Sequence, residues 1–225
     1  MGKSMGRLKG VIFDLDGVVV NTVPLHFKAW EMMFSEYGVE FSWEVYESKV
    51  DGIPAIDAVK AVIEGCSEEE ARRAAEIKSR YFVKLMDEEG VSPYPDTLRF
   101  LALLGKHQVK KAVISSSRNC PFILNKAGLL GKFEAVVSGE EVEKGKPQPD
   151  IFIEACKRLD VGCGAVLVCE DAVLGVEACQ RAGIKCIGIA RNGDNERLAG
   201  ADLVVSSFDS VDISVLENLI QKGVK

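Results

Sequence analysis

Histidine is scarce in this 225-residue sequence, which contains only His26 and His107. Seven cysteines are present, but no two of them form a CxxC pair. Because neither histidine lies at a zinc-ligand spacing from a cysteine pair, a structural zinc site is not predicted, and a bound metal would have oxygen ligands. The odd number of cysteines favours buried thiols in a reducing compartment over a disulfide framework, so we expect a cytoplasmic protein.

Long apolar runs and an excess of basic residues are also missing. No stretch approaches the roughly 18 apolar residues that indicate a membrane-spanning helix, and residues 1–9 lack the apolar centre of a signal peptide. Acidic residues outnumber basic ones by 34 to 28, and the basic residues are scattered along the chain. Nucleic-acid and membrane partners are therefore not expected, whereas a small diffusible ligand is.

Six short apolar runs predict the strands of a parallel sheet. Each run is continuous rather than alternating, as in strands that are covered on both faces. Segments between them carry helix signals, such as the proline that opens 149–159 and the glycines that follow 172–182 and 98–104. Alternating strands and helices predict a doubly wound α/β sheet with right-handed crossovers. The six runs are residues 11–13, 109–114, 135–137, 165–169, 186–189 and 203–205.

The first two runs are separated by about 95 residues, although a crossover needs only a dozen or more. Within this interval, apolar spacing predicts helices at 24–37 and 53–64. A capping box from Ser67 to Glu70 starts a third helix that reaches about Asp87. We therefore predict an inserted all-helical cap domain. The predicted domains are a Rossmann-like α/β core, residues 1–22 and 93–225, and the cap, residues 23–92.

Polar residues follow the predicted strands at one edge of the sheet, where doubly wound folds bind their ligands. Asp14 and Asp171 could hold Mg²⁺, which prefers oxygen ligands. Asp14 could then attack phosphorus as a nucleophile, while Asp16 protonates the leaving oxygen and later activates the acceptor. Ser115 and Lys146 would hold the equatorial oxygens of the transferred group.

Each of these residues also has a simpler interpretation. The Asp-x-Asp-Gly stretch is common in turns, Ser115 could cap a helix, and Lys146 could lie in an exposed loop. These interpretations do not explain why all of them follow successive strands. His26 is expected either to pack between helices or to orient the Asp16 loop. Lys78 shares its helix with three arginines and is expected as a solvated charge or as a ligand contact.

These motifs, in this order, resemble the haloacid dehalogenase (HAD) superfamily. Within it, they are most similar to the β-phosphoglucomutase-like group, in which a helical cap follows the first strand. Residues 13–18 resemble the first motif of that superfamily, Ser115 the second, and Lys146 before Pro147 the third. Residues 170–171, followed by Gly175, resemble the fourth, metal-binding motif.

The resemblance implies a role for each motif residue. Asp14 would be the nucleophile and Asp16 the acid and base. Mg²⁺ would be bound by Asp14, the backbone carbonyl of Asp16 and Asp171, with Glu170 supporting them. The residues implied to bind the substrate are Thr22, His26, Gly52, Lys78, Ser116, Ser117, Arg118 and Asn119.

One position bears on the choice between phosphatase and phosphomutase. In the mutase pattern, an arginine in the cap loop grips a second phosphate, and here Ala55 stands at that place. A bidentate guanidinium is not easily replaced by lysine, and Asp51 and Asp57 add negative charge nearby. We therefore expect a monomeric, Mg²⁺-dependent phosphatase that acts on a small phosphorylated metabolite, such as a sugar phosphate, through an aspartyl-phosphate. A β-phosphoglucomutase-type phosphomutase is the alternative.

Two other functions are less consistent with the motifs. A signalling receiver domain also gathers aspartates, a hydroxyl and a lysine around Mg²⁺. However, a receiver has its acidic pair at the first strand and its phosphoryl acceptor later in the chain, and it has no helical insertion of about 70 residues. A dehalogenase of the same superfamily lacks the second aspartate of the first motif, whereas Asp16 is present here.

Overall fold

The computed structural model describes residues 7–221, which contain a six-stranded parallel sheet. Each predicted run lies within one residue of an observed strand. The strands are β1 (Gly10–Asp14), β2 (Lys110–Ser115), β3 (Ala135–Ser138), β4 (Val166–Glu170), β5 (Lys185–Ile189) and β6 (Leu203–Val205). Their order across the sheet is β3-β2-β1-β4-β5-β6, so β1 lies between β2 and β4. This order brings the ends of β1, β2 and β4 to one place.

A helical insertion follows β1, as predicted. Its helices are α1 (Val23–Glu36), α2 (Trp43–Lys49), α3 (Ala55–Val62) and α4 (Glu68–Glu89). The predicted capping box begins α4, because Ser67 accepts from the Glu70 N–H and the Glu70 side chain accepts from the Ser67 N–H. Helix α2 was not predicted, since its seven residues are too few to establish a helical period.

The remaining helices cover both faces of the sheet. They are α5 (Pro95–Lys106), α6 (Cys120–Lys126), α7 (Asp150–Leu159), α8 (Val173–Ala182) and α9 (Ile213–Gln221). Val11 and Phe13 of β1 lie in one apolar cluster with residues of α5, α6 and α9. Ile12 lies in a second cluster with residues of α7 and α8. Burial on both faces explains why the strand runs do not alternate.

The predicted end of helix α5 at Gly105 is wrong. The helix continues to Lys106, and the left-handed residue that follows it is Gln108, at φ 57°. A glycine signals a helix end only when the chain turns there with positive φ, and Gly105 does not have that conformation.

The insertion is joined to the sheet by two linkers that lie side by side. The Asn21 N–H donates to the Ser92 carbonyl, and the Tyr94 N–H donates to the Val19 carbonyl, each over 3.0 Å. The proposed domain boundaries, after residues 22 and 92, lie within these two linkers. Residues 1–6 and 222–225 of the proposed core lie outside the described residues.

Two expectations from composition concern thiols and membranes. All seven cysteines are free, and five of them are buried, as expected for structural thiols. Within residues 7–221, no helix combines the length and apolarity needed to cross a membrane.

Candidate active site

A cavity of about 610 Å³ lies between the carboxyl edge of the sheet and the helical insertion. Its walls come from residues after β1, β2 and β4, from helices α1 and α4, and from the loop between α2 and α3. Thr22 and Glu170 are fully buried and lie outside this lining. The predicted site residues that line the cavity are Asp14, Asp16, His26, Gly52, Lys78, Ser115, Ser116, Ser117, Arg118, Asn119, Lys146 and Asp171.

Asp14, the last residue of β1, is held on both carboxylate oxygens. The Asp16 N–H donates to Oδ2 over 3.0 Å, and the Lys146 ammonium lies 2.6 Å from Oδ1. Burial raises the pKa of Asp14 well above its usual range, and the charge of Lys146 only partly opposes this effect. The carboxyl group is therefore fixed at the end of β1. The single ammonium of Lys146 does not fully offset the cost of burying its charge.

Lys146 bridges two carboxylates. Besides Asp14, its ammonium contacts Glu170, which is fully buried. Burial alone would lower the pKa of Lys146, but the two carboxylates outweigh it and raise the pKa above its ordinary value. Gly175 makes room for this arrangement, because a Cβ on it would lie 2.1 Å from Cδ of Glu170. The lysine is therefore permanently charged beside Asp14.

Three side chains, two from the start of α1 and one from the end of β2, hold Asp16. The Thr22 hydroxyl donates to Oδ1 over 2.5 Å, and His26 Nε2 lies 3.0 Å from the same oxygen. The Ser115 hydroxyl donates to Oδ2 over 2.9 Å. Burial would raise the pKa of Asp16, but His26 and these hydrogen bonds bring it well below the usual range. These contacts therefore hold Asp16 in its carboxylate form.

His26 and Lys78 extend this network into the insertion. Lys78 Nζ lies 2.7 Å from His26 Nδ1. Because the ammonium can only donate and the Asp16 carboxylate can only accept, the partners assign the proton of His26 to Nε2. The His26 ring also stacks on Phe82 at 3.9 Å between centroids, so the histidine both packs and orients the Asp16 loop. The expectation of Lys78 as a solvated charge is wrong, since Lys78 is buried.

Asp171 reaches the site because Gly17 has no side chain. A Cβ on Gly17, whose φ is +78°, would lie 1.8 Å from Oδ2 of Asp171. Burial raises the pKa of Asp171 well above its usual range, and the nearby carboxylates of Asp51, Asp14 and Glu170 raise it further. The site therefore has more buried carboxylate than Lys146 can balance.

The predicted Mg²⁺ fits this donor set. Within residues 7–221, no three His, Cys, Asp or Glu side chains form a group that could hold a metal ion by themselves. A cation here would take oxygens from Asp14, Asp171 and the Asp16 carbonyl and complete its shell with water or substrate, as Mg²⁺ usually does. Its charge would offset the carboxylates whose pKa values are raised.

Several predicted substrate residues also join the sheet to the insertion. The Ser116 hydroxyl donates to the Gly52 carbonyl over 2.9 Å, and the Asn119 amide donates to Ser79 of α4 over 3.1 Å. Ser117 accepts from the Asn119 N–H over 3.1 Å. Arg118 lines the cavity. These residues lie where the sheet and the insertion meet.

The two acidic residues expected to add charge behave differently. Asp51 lines the cavity, but Asp57 is exposed and does not, so the expectation is wrong for Asp57. Asp57 lies in the first turn of α3. The side of a short helix that faces a ligand depends on packing, which the spacing of charges does not show.

Arg191 was missed from the sequence. Its guanidinium donates to the carbonyls of Gly17 and Val18, each over 2.9 Å, and pairs with Asp96. It also stacks on Tyr94 at 3.5 Å. Arg191 thereby holds the loop that carries Asp16. Its position two residues after β5 was a usable signal, since polar residues after strands were the guide for the other site residues.

Residues 11–189 match the family model of haloacid dehalogenase-like hydrolases. This chain belongs to that family. The matched range starts in β1 and ends with β5, and it includes the whole insertion and the residues that line the cavity. The HAD superfamily inferred from the four motifs is thereby confirmed, together with its doubly wound sheet and helical insertion.

Three proteins match this HAD chain over nearly their full lengths. β-Phosphoglucomutase of Bacillus subtilis (strain 168) is 32% identical over 218 residues, covering 93% of this chain and 94% of the relative. Hexitol phosphatase A of Escherichia coli (strain K12) is 29% identical over 213 residues, covering 94% and 97%. The crystal structure of β-phosphoglucomutase from Clostridium difficile has a TM-score of 0.86 and 28% identity, covering 96% of this chain and 98% of that one.

Proposed function

We propose that the protein is a phosphatase that hydrolyses the phosphate ester of a small metabolite, with sugar phosphates as its substrate class. The observation that carries the proposal is buried Asp14, 2.6 Å from the Lys146 ammonium, in one cavity with Asp16 and Asp171. The names of the relatives, a phosphoglucomutase and a hexitol phosphatase, support a phosphorylated sugar. We further propose Mg²⁺ as its cofactor and a cytoplasmic monomer as its working form.

The first step transfers the phosphoryl group to Asp14. A carboxylate oxygen of Asp14 bonds to phosphorus, the ester P–O bond breaks, and the leaving oxygen takes a proton from Asp16. A phosphate dianion entering beside Asp16 raises its pKa, because like charges disfavour ionisation, and Asp16 takes up a proton from solvent before the transfer. The Lys146 ammonium and the Ser115 hydroxyl, which line the cavity with Asp14, would hold phosphoryl oxygens. When bound, Mg²⁺ would neutralise charge on the phosphoryl group.

The second step releases inorganic phosphate. Water attacks phosphorus, Asp16 accepts a proton from that water, and the bond between phosphorus and the Asp14 oxygen breaks. Hydrogen bonds from Thr22, His26 and Ser115 hold Asp16 in the carboxylate form that this role needs. The insertion, which forms the roof of the cavity, would cover the substrate in the first step.

A phosphomutase is the second candidate. Arg118 lines the cavity beside Ser117 and Asn119, where it could bind a second phosphate, and the Bacillus subtilis relative is named a mutase. Against it, Ala55 lines the cavity where the mutase pattern has its clamping arginine. A mutase must hold a second phosphate while its bisphosphate intermediate reorients in the cavity. Hydrolysis needs no such reorientation, so we favour a phosphatase.

A parallel assay separates these two functions. Phosphate release from a set of sugar monophosphates is measured with Mg²⁺, together with conversion of β-glucose 1-phosphate to glucose 6-phosphate in the presence of a bisphosphate primer. We expect phosphate release as the main reaction. Isomer formation without phosphate release would overturn the preference for hydrolysis.

The Asp14→Asn variant tests the nucleophile. We expect turnover to fall to background while the far-UV circular dichroism spectrum and the unfolding midpoint stay near those of the wild type. Asp209→Asn, at an exposed carboxylate paired with Arg99, is the matched control and should keep full activity. Activity of Asp14→Asn well above background would refute the assignment.

A further inference from the structure

The loop between α2 and α3 covers one wall of the cavity. Residues 50–55 all line the cavity, although they belong to the insertion and not to the sheet. Close packing holds two points of this loop. A Cβ on Gly52 would lie 3.1 Å from Cβ of Ala172, and a Cβ on Gly145 would lie 2.3 Å from Cγ of Pro54. The loop therefore needs a defined position relative to the sheet.

Arg197, which is 146 positions away from Asp51 in the sequence, contacts this loop. It belongs to a short 3₁₀ turn between β5 and β6, in which the neighbouring Leu198 is buried against Gly188 of β5. One guanidinium nitrogen contacts the Asp51 carboxylate, and another lies 3.3 Å from Glu47 of α2. The turn thus packs on the sheet through Leu198, while Arg197 forms ion pairs with the insertion.

The burial of these groups separates them from surface ion pairs. The exposed fractions of the side chains are 21% for Arg197 and 14% for Asp51. Glu47 is more exposed, at 33%. Breaking a partly buried pair leaves a carboxylate without its counter-charge, which costs more than losing an exposed pair. Without Arg197, the Asp51 carboxylate would have a lower free energy in water than in its partly buried position. We therefore expect it to move toward water and to take the loop with it.

We propose that Arg197 is a positioning residue that holds the loop 50–55 over the cavity and thereby sets the affinity for the non-phosphate part of the substrate. This inference rests on the proposed function, since it assigns the loop to recognition of the group that carries the phosphate. Arg197 itself does not line the cavity. Its effect on turnover is therefore indirect and is transmitted through Asp51.

The test compares Arg197→Gln, Arg197→Lys and Arg99→Gln. Arg99 is the control, because it forms a bidentate pair with Asp209 on the surface of the α/β part of the chain and does not contact the insertion. Steady-state kinetics are measured with β-glucose 1-phosphate and with p-nitrophenyl phosphate, whose aryl group lacks the hydroxyls of a sugar. Amide hydrogen exchange of residues 47–55 is measured on the same proteins without substrate.

Arg197→Gln should raise KM for β-glucose 1-phosphate by about tenfold, with a much smaller change for p-nitrophenyl phosphate. Arg197→Lys should restore part of this affinity, since it keeps the charge but not the two-pronged contact. Exchange of residues 47–55 should accelerate in Arg197→Gln and not in Arg99→Gln. Adding Asp51→Asn to Arg197→Gln should reduce that acceleration, because the carboxylate that lacks a partner is gone.

Unchanged exchange in Arg197→Gln, or equal losses for both esters, would overturn the proposal. Failure of the proposed function gives a different result. A wild-type protein that hydrolyses neither p-nitrophenyl phosphate nor any member of the set of sugar monophosphates would refute the phosphatase assignment, while the exchange measurement would still decide whether Arg197 holds the loop.

Discussion

Lys78 places an ammonium group in an apolar setting. Its Nζ lies 5.0 Å from the ring centroid of Trp30 and 4.8 Å from that of Phe82. Burial lowers the pKa of this lysine to about 7. An unfolded lysine keeps its proton to about pH 10, so the unfolded state binds more protons between these values. Stability from this residue therefore rises with pH from about 7 to about 10.

The Lys78→Met variant should lack this rise. Urea unfolding of both proteins between about pH 6.5 and 9.5 measures the difference in the pH dependence of the unfolding free energy. Lys84→Met, on the exposed side of the same helix, should behave like the wild type. Equal slopes for Lys78→Met and wild type would show that Lys78 is not the group responsible.

Asp171 illustrates a conflict between stability and function at a single residue. Its pKa is raised by burial and then by Asp51, Asp14 and Glu170, so its ionised form destabilises the metal-free protein at neutral pH. Asp171→Asn should stabilise that protein, since the neutral amide removes a buried charge that other carboxylates repel. The same variant should abolish catalysis.

The response to Mg²⁺ provides a second measurement on this variant. Wild-type protein at about 100 times the dissociation constant should gain about 2.7 kcal/mol of unfolding free energy, whereas Asp171→Asn should gain little. If Mg²⁺ stabilised both proteins equally, Asp171 would not be a ligand.

At the scale of the helix, replacing glycine by alanine is expected to have opposite effects on stability in α5 and α8. Gly175 in α8 lies against the Glu170 carboxylate, where an added Cβ would meet Cδ at 2.1 Å, whereas a Cβ on Gly105 in α5 would have no neighbouring atom within 4 Å. Gly105→Ala should stabilise the protein by up to about 1 kcal/mol through helix propensity. Gly175→Ala should destabilise it by about 1–3 kcal/mol through overpacking.

Thermal and urea unfolding of the two alanine variants test this contrast. Gly175→Ala should also reduce activity, because displacement of Glu170 disturbs the Lys146 contact. Stabilisation by both substitutions would mean that α8 can shift to accept the extra methyl group.

Much of the fold at the element scale was predictable. Strands covered on both faces have continuous apolar runs, so all six strands could be placed before their pairing was known. Because parallel strands share a carboxyl edge, the convergence of Asp14, Ser115 and Asp171 followed from their positions after strands. Helix α2 was missed because a seven-residue segment does not establish a period.

The remaining features of the site depend on contacts between distant segments. Lys78 is 52 positions from its partner His26, and charge on a helix with several arginines usually faces water. Only the packing of α1 against α4 shows that this lysine is buried. Arg197 lies in an irregular turn that has no periodic signal, and its contact with Asp51 spans 146 positions.

At the scale of the whole molecule, the insertion and the sheet share apolar packing. Leu25 and Ala29 of α1 and Phe82, Leu85 and Met86 of α4 belong to the same apolar cluster as one face of the sheet. Both tryptophans, Trp30 and Trp43, lie in the insertion, so their fluorescence reports on that part. We expect the fluorescence and far-UV circular dichroism transitions to coincide, as in a two-state unfolding.

Phe82→Ala should lower the unfolding free energy by about 3–5 kcal/mol, because it removes a fully buried ring from the shared cluster. The fluorescence and circular dichroism transitions should move together. Separate transitions in the wild type, with the fluorescence change first, would show that the insertion unfolds on its own.

The paired linkers have a consequence for how such chains diversify. The chain leaves the sheet and returns to it at points where the Asn21 nitrogen and the Ser92 oxygen are 3.0 Å apart. A segment bounded by two such adjacent points can be lengthened, shortened or exchanged without moving the ends of β1 and α5 that it connects. Evolution can therefore vary the insertion above the cavity while the strand ends below it keep their positions.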